Sequence, residues 1–297
     1  MTLALFLQHL ANGISLGSLY ALVAIGYTMV YGILRLINFA HGNIFTAGAY
    51  LAFVGVALLQ LSWGAAYVMA IVLTAALGVL VERVAYKPLR DAPRISVLIS
   101  AIAVSFLLEN LMVIIFGGRP KSFFRPPVFD QVMDIGSVKV PTVTFAIIAA
   151  SAVLVIALSY MLYRTKPGLA MRALSSDFDT ARLMAIDVDK TVALTFVVGS
   201  SLAAVGGILW AIKFPQVNPF MGGLPGLKAF VAAVLGGIGN VQGATIGGLM
   251  LGLAEVLLVA VFPAFSGYRD AIAFVALILI LLWKPTGILG QEGRVKV

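Results

Sequence analysis

The chain has 297 residues, of which 61% are hydrophobic and 11% charged, and its mean hydropathy is +1.07. Soluble globular domains are about 45–50% apolar and about 25% charged, so this composition excludes a fold surrounded by water and indicates a chain embedded in lipid. The absence of cysteine excludes disulfides, thiolate metal sites and iron–sulfur clusters.

Apolar runs follow one another along the whole chain, most of them close to the about 17–25 residues that a membrane-spanning helix needs. They lie at about 10–33, 44–61, 65–81, 95–116, 142–162, 191–212, 225–238, 243–262 and 269–283. The run at 225–238 is short, so it and 243–262 are either separate helices or one element broken inside the membrane. We predict an all-α, polytopic membrane protein with eight or nine transmembrane helices, forming one domain over 1–297. The N-terminus has no basic region typical of a secretory signal, and we expect it to begin the first span.

The basic residues predict the orientation of these helices. If the segment 82–94, "ERVAYKPLRDAPR", is cytoplasmic, alternation of the spans also places most of the 20 lysines and arginines inside. The N-terminus then lies outside and the C-terminus in the cytoplasm. The net charge of +8 is explained by this distribution and does not require nucleic acid as a partner.

Two turns occupy equivalent positions in opposed halves of the chain. The first run is followed by "RLINFAHGN" and a return, and the run at 191–212 by "KFPQVNPFMGG" and a return. Opposed halves of this kind form many transporters around a pathway at the membrane midplane. We therefore expect a possible inverted repeat.

The polar segment Arg35–Asn43 lies between two apolar runs. Asn38, Gly42 and Asn43 favour a turn, and no carboxylate or thiol nearby supports a metal or catalytic role for His41. We interpret the segment as a polar turn at the inner mouth of a pathway, with Asn38 and His41 as candidate pathway residues.

Glu109 and Glu255 are acids inside apolar runs, each about seven residues from the predicted outer end of its helix. A charge in this position is costly and faces a cavity or a partner. Lys228, near the outer start of its own helix, is placed to pair with Glu255. The three residues either line the translocation pathway or hold helices together, and polar contacts between helices favour the second role.

Small residues follow two rows of the run at 243–262. One row contains Gly243, Gly247 and Leu251, and the other contains Ala244, Gly248 and Gly252. Such rows allow close approach of neighbouring helices. They predict packing rather than binding.

Sequence motifs for chemistry are sparse. No lysine follows a glycine, which excludes a Walker A loop, and no HExxH helix is present. An intramembrane enzyme would need a paired-acid or Ser/His site, and we identify none. We predict a protein that is not an enzyme, with no metal ligands and no cofactor of its own.

The predicted inner segment 164–190 contains a second candidate site. Ser176 or Asp177 is suited to cap a short helix, on which Ala181, Met184, Ala185 and Val188 would share one face. Such a face either enters the groove of a partner protein or lies on the membrane surface as a connector.

Long motifs in this sequence resemble those of the branched-chain amino-acid ABC importer permeases of the LivH type. The resemblance covers nearly the whole chain apart from 117–141. It is carried by "GSLYALVAIGYTMVYGILRLINFAHGNIFTAGAY" (Gly17–Tyr50), "LVERVAYKPLR" (Leu80–Arg90), "VALTFVVGSSLAAVGGIL" (Val192–Leu209), "GLKAFVAAVLGGIGNVQGATIGGLMLG" (Gly226–Gly252) and "PTGILG" (Pro285–Gly290).

The resemblance implies a permease subunit of a bacterial inner membrane. Its implied partners are a second related permease, two cytoplasmic ATPase subunits that use ATP, and a soluble solute-binding protein. It also implies that Met171–Asp187 is the coupling segment that docks on the ATPase, with contacts from Arg172, Asp177, Ala181, Met184, Ala185 and Ile186. Ser176 and Ala185 depart from the expected acid and glycine, and both replacements favour a helix or are neutral to it.

Two alternatives remain open from the sequence. One is an ion-coupled secondary carrier or channel, which would work without ATPase subunits. The other is the same ABC architecture carrying urea or short amides.

Overall fold

The protein is a helical bundle, seen here as a computed structural model that describes residues 2–90, 92–136 and 138–290. Its helices are α1 Leu3–Leu34, α2 His41–Phe53, α3 Trp63–Val81, α4 Arg94–Phe116, α5 Thr142–Arg164, α6 Lys166–Ser176, α7 Phe178–Leu183, α8 Val188–Lys213, α9 Gly223–Gly236, α10 Val241–Val261 and α11 Arg269–Trp283. Its strands are β1 Lys121–Ser122, β2 Val132–Ile135, β3 Val138–Pro141 and β4 Gln216–Val217. The predicted all-α, polytopic class is confirmed, with small two-stranded pairings only.

Within the described ranges, seven helices are long and apolar enough to cross a membrane. α2 is one of them because a π-helical turn, Val54–Leu58, extends it to 18 residues. α9 has 14 residues and α11 has 15, so at ~1.5 Å per residue each is about 21–23 Å long and shorter than the hydrocarbon core. The short apolar run at 225–238 is a helix of its own.

A tight turn at Gly237–Asn240 separates α9 from α10, which settles the alternatives left open for this region. Gly237 and Gly239 adopt φ values of +106° and +96°, which side chains rarely accept. Asn240 caps α10 by accepting hydrogen bonds from the N–H groups of Gln242 and Gly243. The two runs are therefore antiparallel helices and not one broken element.

Both predicted small-residue rows of α10 serve close packing. Gly247 lies against the Ala232 carbonyl of α9, and Gly248 lies against the backbone of Ala21 in α1. Gly252 packs on Gly17 of α1. One row thus faces α9 and the other faces α1, the helix that is buried along most of its length.

Helices α1–α4 and α8–α11 form two sets in which α1 corresponds to α8, α2 to α9, α3 to α10 and α4 to α11. The main contacts occur in matching pairs. The α1–α10 contact matches α8–α3, the α2–α8 contact matches α9–α1, and the α2–α4 contact matches α9–α11. Helices α5–α7 connect the sets. An inverted repeat would produce this exchange of contacts, and the repeat stays a prediction.

The bundle has two ends. The first end is the one where α1 begins and α8 ends. A hydrogen bond from Lys213 in α8 to Ser15 in α1 joins the two helices there. The second end is the one where α1 ends, and where Gly32 approaches Gly239 in the α9–α10 turn. At the first end, β1 pairs with β4 and thereby attaches the segment 117–141 to the residues after α8.

Candidate functional site

Both sets of helices contain a segment that turns back into the bundle before its second helix begins. After α1, the chain returns through 36–40, and α2 begins at His41 beside Gly26 and Tyr27 of α1. Tyr27 is about two helical turns, or ~10 Å, before the end of α1. α2 therefore starts inside the bundle and not at its surface.

The two returning segments have the same local structure. The Asn38 side chain accepts a hydrogen bond from the Ala40 N–H, and the Asn218 side chain accepts one from the Phe220 N–H. The backbone carbonyls of the two asparagines accept from the N–H groups of His41 and Met221, at 3.1 and 3.2 Å. The sequence motifs that form this turn are Asn-x-x-His-Gly at 38–42 and Asn-x-x-Met-Gly at 218–222.

The glycines that end these motifs, Gly42 and Gly222, meet at the centre of the bundle. A Cβ added to Gly42 would be 2.6 Å from the Gly222 carbonyl oxygen, and a Cβ added to Gly222 would overlap the Gly42 carbonyl. At these two glycines the starts of α2 and α9 thus approach backbone to backbone, with the Thr46 hydroxyl beside them.

The structure corrects the predicted position of Asn38 and His41. Both are buried, at 2% and 1% exposure, inside the bundle and not in a turn at its mouth. The Asn38 side-chain oxygen Oδ1 also accepts a hydrogen bond from the Tyr86 hydroxyl at 2.9 Å. His41 packs edge-on against Tyr27, and its Nε2 has no hydrogen-bond partner among the described residues. They remain candidate pathway residues at the α2–α9 contact.

Glu255 is the centre of a buried ion-pair network at the first end. Its carboxylate lies 2.8 Å from Lys228 Nζ of α9 and 2.7 Å from Arg269 Nε of α11. The Tyr20 hydroxyl of α1 donates to it at 3.0 Å. Asp270 pairs with Lys228 at 2.5 Å. The predicted pairing of Lys228 with Glu255 is confirmed, and four helices contribute to the network.

A cavity of about 260 Å³ lies beside this network. It is lined by Leu16, Tyr20, Trp210, Phe214, Gln216, Asn218, Met221, Glu255 and Arg269. Its exposed residues, Phe214, Gln216 and Arg269, belong to the first end. Its floor includes Met221, which precedes the Gly42–Gly222 contact.

The structure does not bring Glu109 to this network. Glu109 is half-buried on α4, and it makes no hydrogen bond or ion pair with the residues described here. Several of its helix neighbours, including Phe106 and Leu107, are exposed on the single chain. The two acids therefore do not form one site, although their sequence positions suggested similar depth.

A second charged cluster, which the sequence analysis missed, lies at the second end. Arg90 donates to Glu82 at 3.0 Å and to Asp189 at 2.7 Å, and Lys87 pairs with Asp189 at 2.6 Å. Glu82 is buried, and its helix leads to Tyr86, the partner of Asn38. Glu82 could have been identified from the sequence, because it is an acid that directly follows the apolar run at 65–81.

The predicted coupling segment is folded differently from the expected single face. Asp177 caps α7 by accepting a hydrogen bond from the Thr180 N–H at 2.9 Å, as expected. α7 ends at Leu183, and Ala185 adopts a left-handed conformation with φ of +58°. Ala181 is buried, at 3% exposure, whereas Met184 is 73% exposed. Ala181, Met184, Ala185 and Val188 therefore share no helical face, and Ala185 does not extend a helix.

Other members of the segment lie near its surface. Arg172 is exposed on α6 and lies over the ring of Tyr163 at 5.3 Å, and Ile186 is half-buried. Leu183 is 86% exposed. The apolar surface of the segment is thus formed by Leu183 and Met184.

One match to a hydrolase motif has a structural role. The letters "GISLG", Gly13–Gly17, have the spacing G-x-S-x-G, which carries a nucleophilic serine when it forms a strand-to-helix turn. Here Ser15 lies within α1 and is fully buried, and its hydroxyl accepts a hydrogen bond from Lys213. Ser15 is therefore not on the strand-to-helix turn that the hydrolase motif requires.

Comparisons with known proteins identify the family of this chain. The chain is 42% identical to the high-affinity branched-chain amino acid transport system permease protein LivH of Salmonella typhimurium and 41% identical to BraD of Pseudomonas aeruginosa, each over 98% of both chains. It is 30% identical to a probable branched-chain amino acid transport permease of Methanocaldococcus jannaschii over 96% of this chain and 93% of that one. A family model described as "Branched-chain amino acid transport system / permease component" matches residues 9–281. The chain therefore belongs to the permease components of branched-chain amino acid transport systems.

Proposed function

We propose that this chain is a permease subunit of an ATP-driven ABC importer that moves branched-chain amino acids across the bacterial inner membrane. The observation that carries the proposal is the near full-length similarity to permeases named for this transport. The partners would be a second related permease, two ATPase subunits that bind and hydrolyse ATP, and a solute-binding protein. This chain would supply helices and no hydrolytic residues.

In this proposal, the first end faces outward and the second end faces the cytoplasm. The lysine and arginine distribution of the sequence supports this orientation. The binding protein would deliver substrate to the first end, where the cavity beside Glu255 lies. The N-terminus would be outside and the C-terminus inside.

Alternating access would use the contact between the starts of α2 and α9. The Gly42–Gly222 contact lies between the Glu255 network at one end and the Glu82 cluster at the other. Each cluster ties together helices of its own end through ion pairs. Opening one end while the other stays closed requires these helices to move about the central contact.

The ATPase subunits would act on the coupling segment Met171–Asp187. Leu183 and Met184 give this segment an exposed apolar surface for the ATPase, and Asp177 caps the start of α7, the helix that ends at Leu183. Because α8 begins at Val188, directly after this segment, a displacement there would be transmitted to a helix that contacts both α1 and α2.

Co-purification from the native membrane tests this assignment. The tagged chain is expected to bring down two copies of ATPase subunit for each permease pair, and the solute-binding protein loaded with leucine should stimulate ATP hydrolysis. A tagged chain recovered without any ATPase subunit would contradict the proposal and favour a stand-alone carrier or channel.

A further inference from the structure

The cavity beside Glu255 combines an apolar wall with a charged wall. Leu16, Tyr20, Trp210, Phe214 and Met221 form the first, and the rings of Trp210 and Phe214 are 4.9 Å apart. The second wall is formed by Gln216, Asn218, Glu255 and Arg269. Such a pairing is typical of a site that holds a small ligand with one apolar and one polar part.

The charged wall retains unused hydrogen-bonding capacity. The shortest contacts of Arg269 with acids are made by Nε, at 2.7 Å from Glu255 and 3.8 Å from Asp270, and its two terminal amino groups donate no hydrogen bond to the described residues. Glu255 Oε2 accepts one hydrogen bond, from Tyr20. A carboxylate oxygen has room for a second. A free donor fork and a free acceptor therefore occur side by side.

The charge of the site selects the kind of ligand. Lys228 and Arg269 balance Glu255 and Asp270; Glu255 and Lys228 are buried, whereas the Arg269 side chain is 51% exposed at the mouth of the cavity. A ligand with a net charge would leave an unbalanced charge beside the buried Glu255, which is costly. A zwitterion adds one positive and one negative group and preserves the balance.

We propose that this cavity is a binding site of the permease itself for a zwitterionic α-amino acid with an apolar side chain. The α-carboxylate binds the terminal amino groups of Arg269, because guanidinium and carboxylate form paired hydrogen bonds. The α-ammonium donates to Glu255 Oε2. The side chain packs against Trp210 and Met221. The proposal rests on the proposed import function and adds a ligand site on this subunit.

The size of the cavity agrees with such a ligand. Pockets for drug-sized molecules have about 300–1,000 Å³, and this cavity of about 260 Å³ lies just below that range. Its floor at Met221 adjoins Gly222, so a bound amino acid would lie directly above the contact between α2 and α9.

Equilibrium binding of radiolabelled leucine to the complete complex in nanodiscs, without the solute-binding protein, tests the site. Valine and isoleucine are expected to displace leucine. Leucinamide lacks the carboxylate and 4-methylpentanoate lacks the ammonium, so both should compete at least tenfold more weakly. No saturable leucine binding, or equal competition by 4-methylpentanoate, would overturn the proposal.

Variants of Arg269 separate the effect of its paired hydrogen-bond donors from the effect of its positive charge. R269Q should weaken leucine binding at least tenfold, and R269K, which preserves the positive charge opposite Glu255, should also weaken it because the paired geometry is lost. R119Q is the matched control, since Arg119 is an exposed arginine after α4 that does not line the cavity. Assembly of each complex is checked by size-exclusion chromatography. Unchanged affinity in assembled R269K would contradict the proposal.

ATP-driven leucine uptake by the wild-type complex with its binding protein separates the two proposals. If uptake requires ATP but the receptor-free complex binds no leucine, the site is wrong and the importer stands. If leucine binds but uptake is independent of ATP, the importer is wrong and the site stands.

Discussion

Glu255 is the residue whose removal should most disturb the bundle. E255Q leaves Lys228 and Arg269 with Asp270 as their remaining acid, in a place where the Glu255 side chain is 1% exposed. Breaking a buried pair on one side costs about 3–5 kcal/mol. We expect a clearly lower unfolding temperature of the purified complex, measured by intrinsic fluorescence.

E109Q is the matched control, because Glu109 has no ion-pair partner among the described residues and its loss of charge should leave the unfolding temperature nearly unchanged. The transport rate of E255Q tests the ligand role proposed for Glu255, because uptake should then fall together with the unfolding temperature. Unaltered transport with lowered stability would identify a purely structural network and contradict the ligand role.

Ala185 adopts a backbone conformation that suits glycine. Its φ of +58° places Cβ close to the following carbonyl, at a cost of about 1–2 kcal/mol for an L-residue. A185G should therefore stabilise the protein by roughly 0.5–1 kcal/mol after the larger conformational entropy of unfolded glycine is subtracted. Thermal unfolding measures the change. A181G, in the buried middle of α7, should instead destabilise by about 1 kcal/mol, and equal effects of the two would contradict this account of Ala185.

At the scale of elements, the contact between α2 and α9 depends on two adjacent glycines that differ in their surroundings. A Cβ at Gly222 would overlap the Gly42 carbonyl and the Thr46 hydroxyl, whereas a Cβ at Gly223 would meet nothing within 4 Å. G222A should destabilise the bundle by about 1–3 kcal/mol and strongly reduce uptake. G223A should leave stability and uptake close to wild type, and equal tolerance of both would show that the helix starts do not meet as described.

The coupling segment yields a prediction different from the one that its sequence suggested. Ala181 is buried, so A181R should unfold α7 rather than test docking. M184D places a charge on the exposed apolar surface instead and should lower the ATP hydrolysis that is stimulated by the binding protein by at least tenfold. D179N, on an exposed side chain of the same helix, is the control. Normal stimulation in M184D would reject this surface as the docking site.

The order of the helices follows from the sequence because long apolar runs predict spans directly. The position of the returning segments inside the bundle did not follow from the sequence. Asn38 and His41 are polar, and short polar segments between apolar runs are usually placed at a membrane surface. Non-helical backbone inside the membrane is stable only where it is buried in protein. Here the asparagine turns satisfy the N–H groups of Ala40 and Phe220, and α1 covers His41.

Clusters formed across distant parts of the chain were only partly predictable. Lys228 and Glu255 lie on adjacent helices of a hairpin, so their depths indicated a pair. The contributions of Tyr20 and Arg269 depend on the packing of α1 and α11 against that hairpin. The left-handed Ala185 was hidden for another reason, because alanine favours helices and gives no sign of a turn.

In the whole molecule, ion pairs with a buried acid hold both ends, and the starts of α2 and α9 meet between them. Under the proposed function, opening an end requires energy to separate such pairs. We propose that separate ATPase subunits acting on the coupling segment supply this energy.

Uptake of radiolabelled leucine into proteoliposomes tests this assignment most directly. The vesicles contain either the complete complex or this permease chain alone, with loaded solute-binding protein outside and ATP or no nucleotide inside. We expect uptake only with the complete complex and ATP, with competition by valine and isoleucine and none by urea. Leucine accumulation by the permease chain alone without nucleotide would contradict the account.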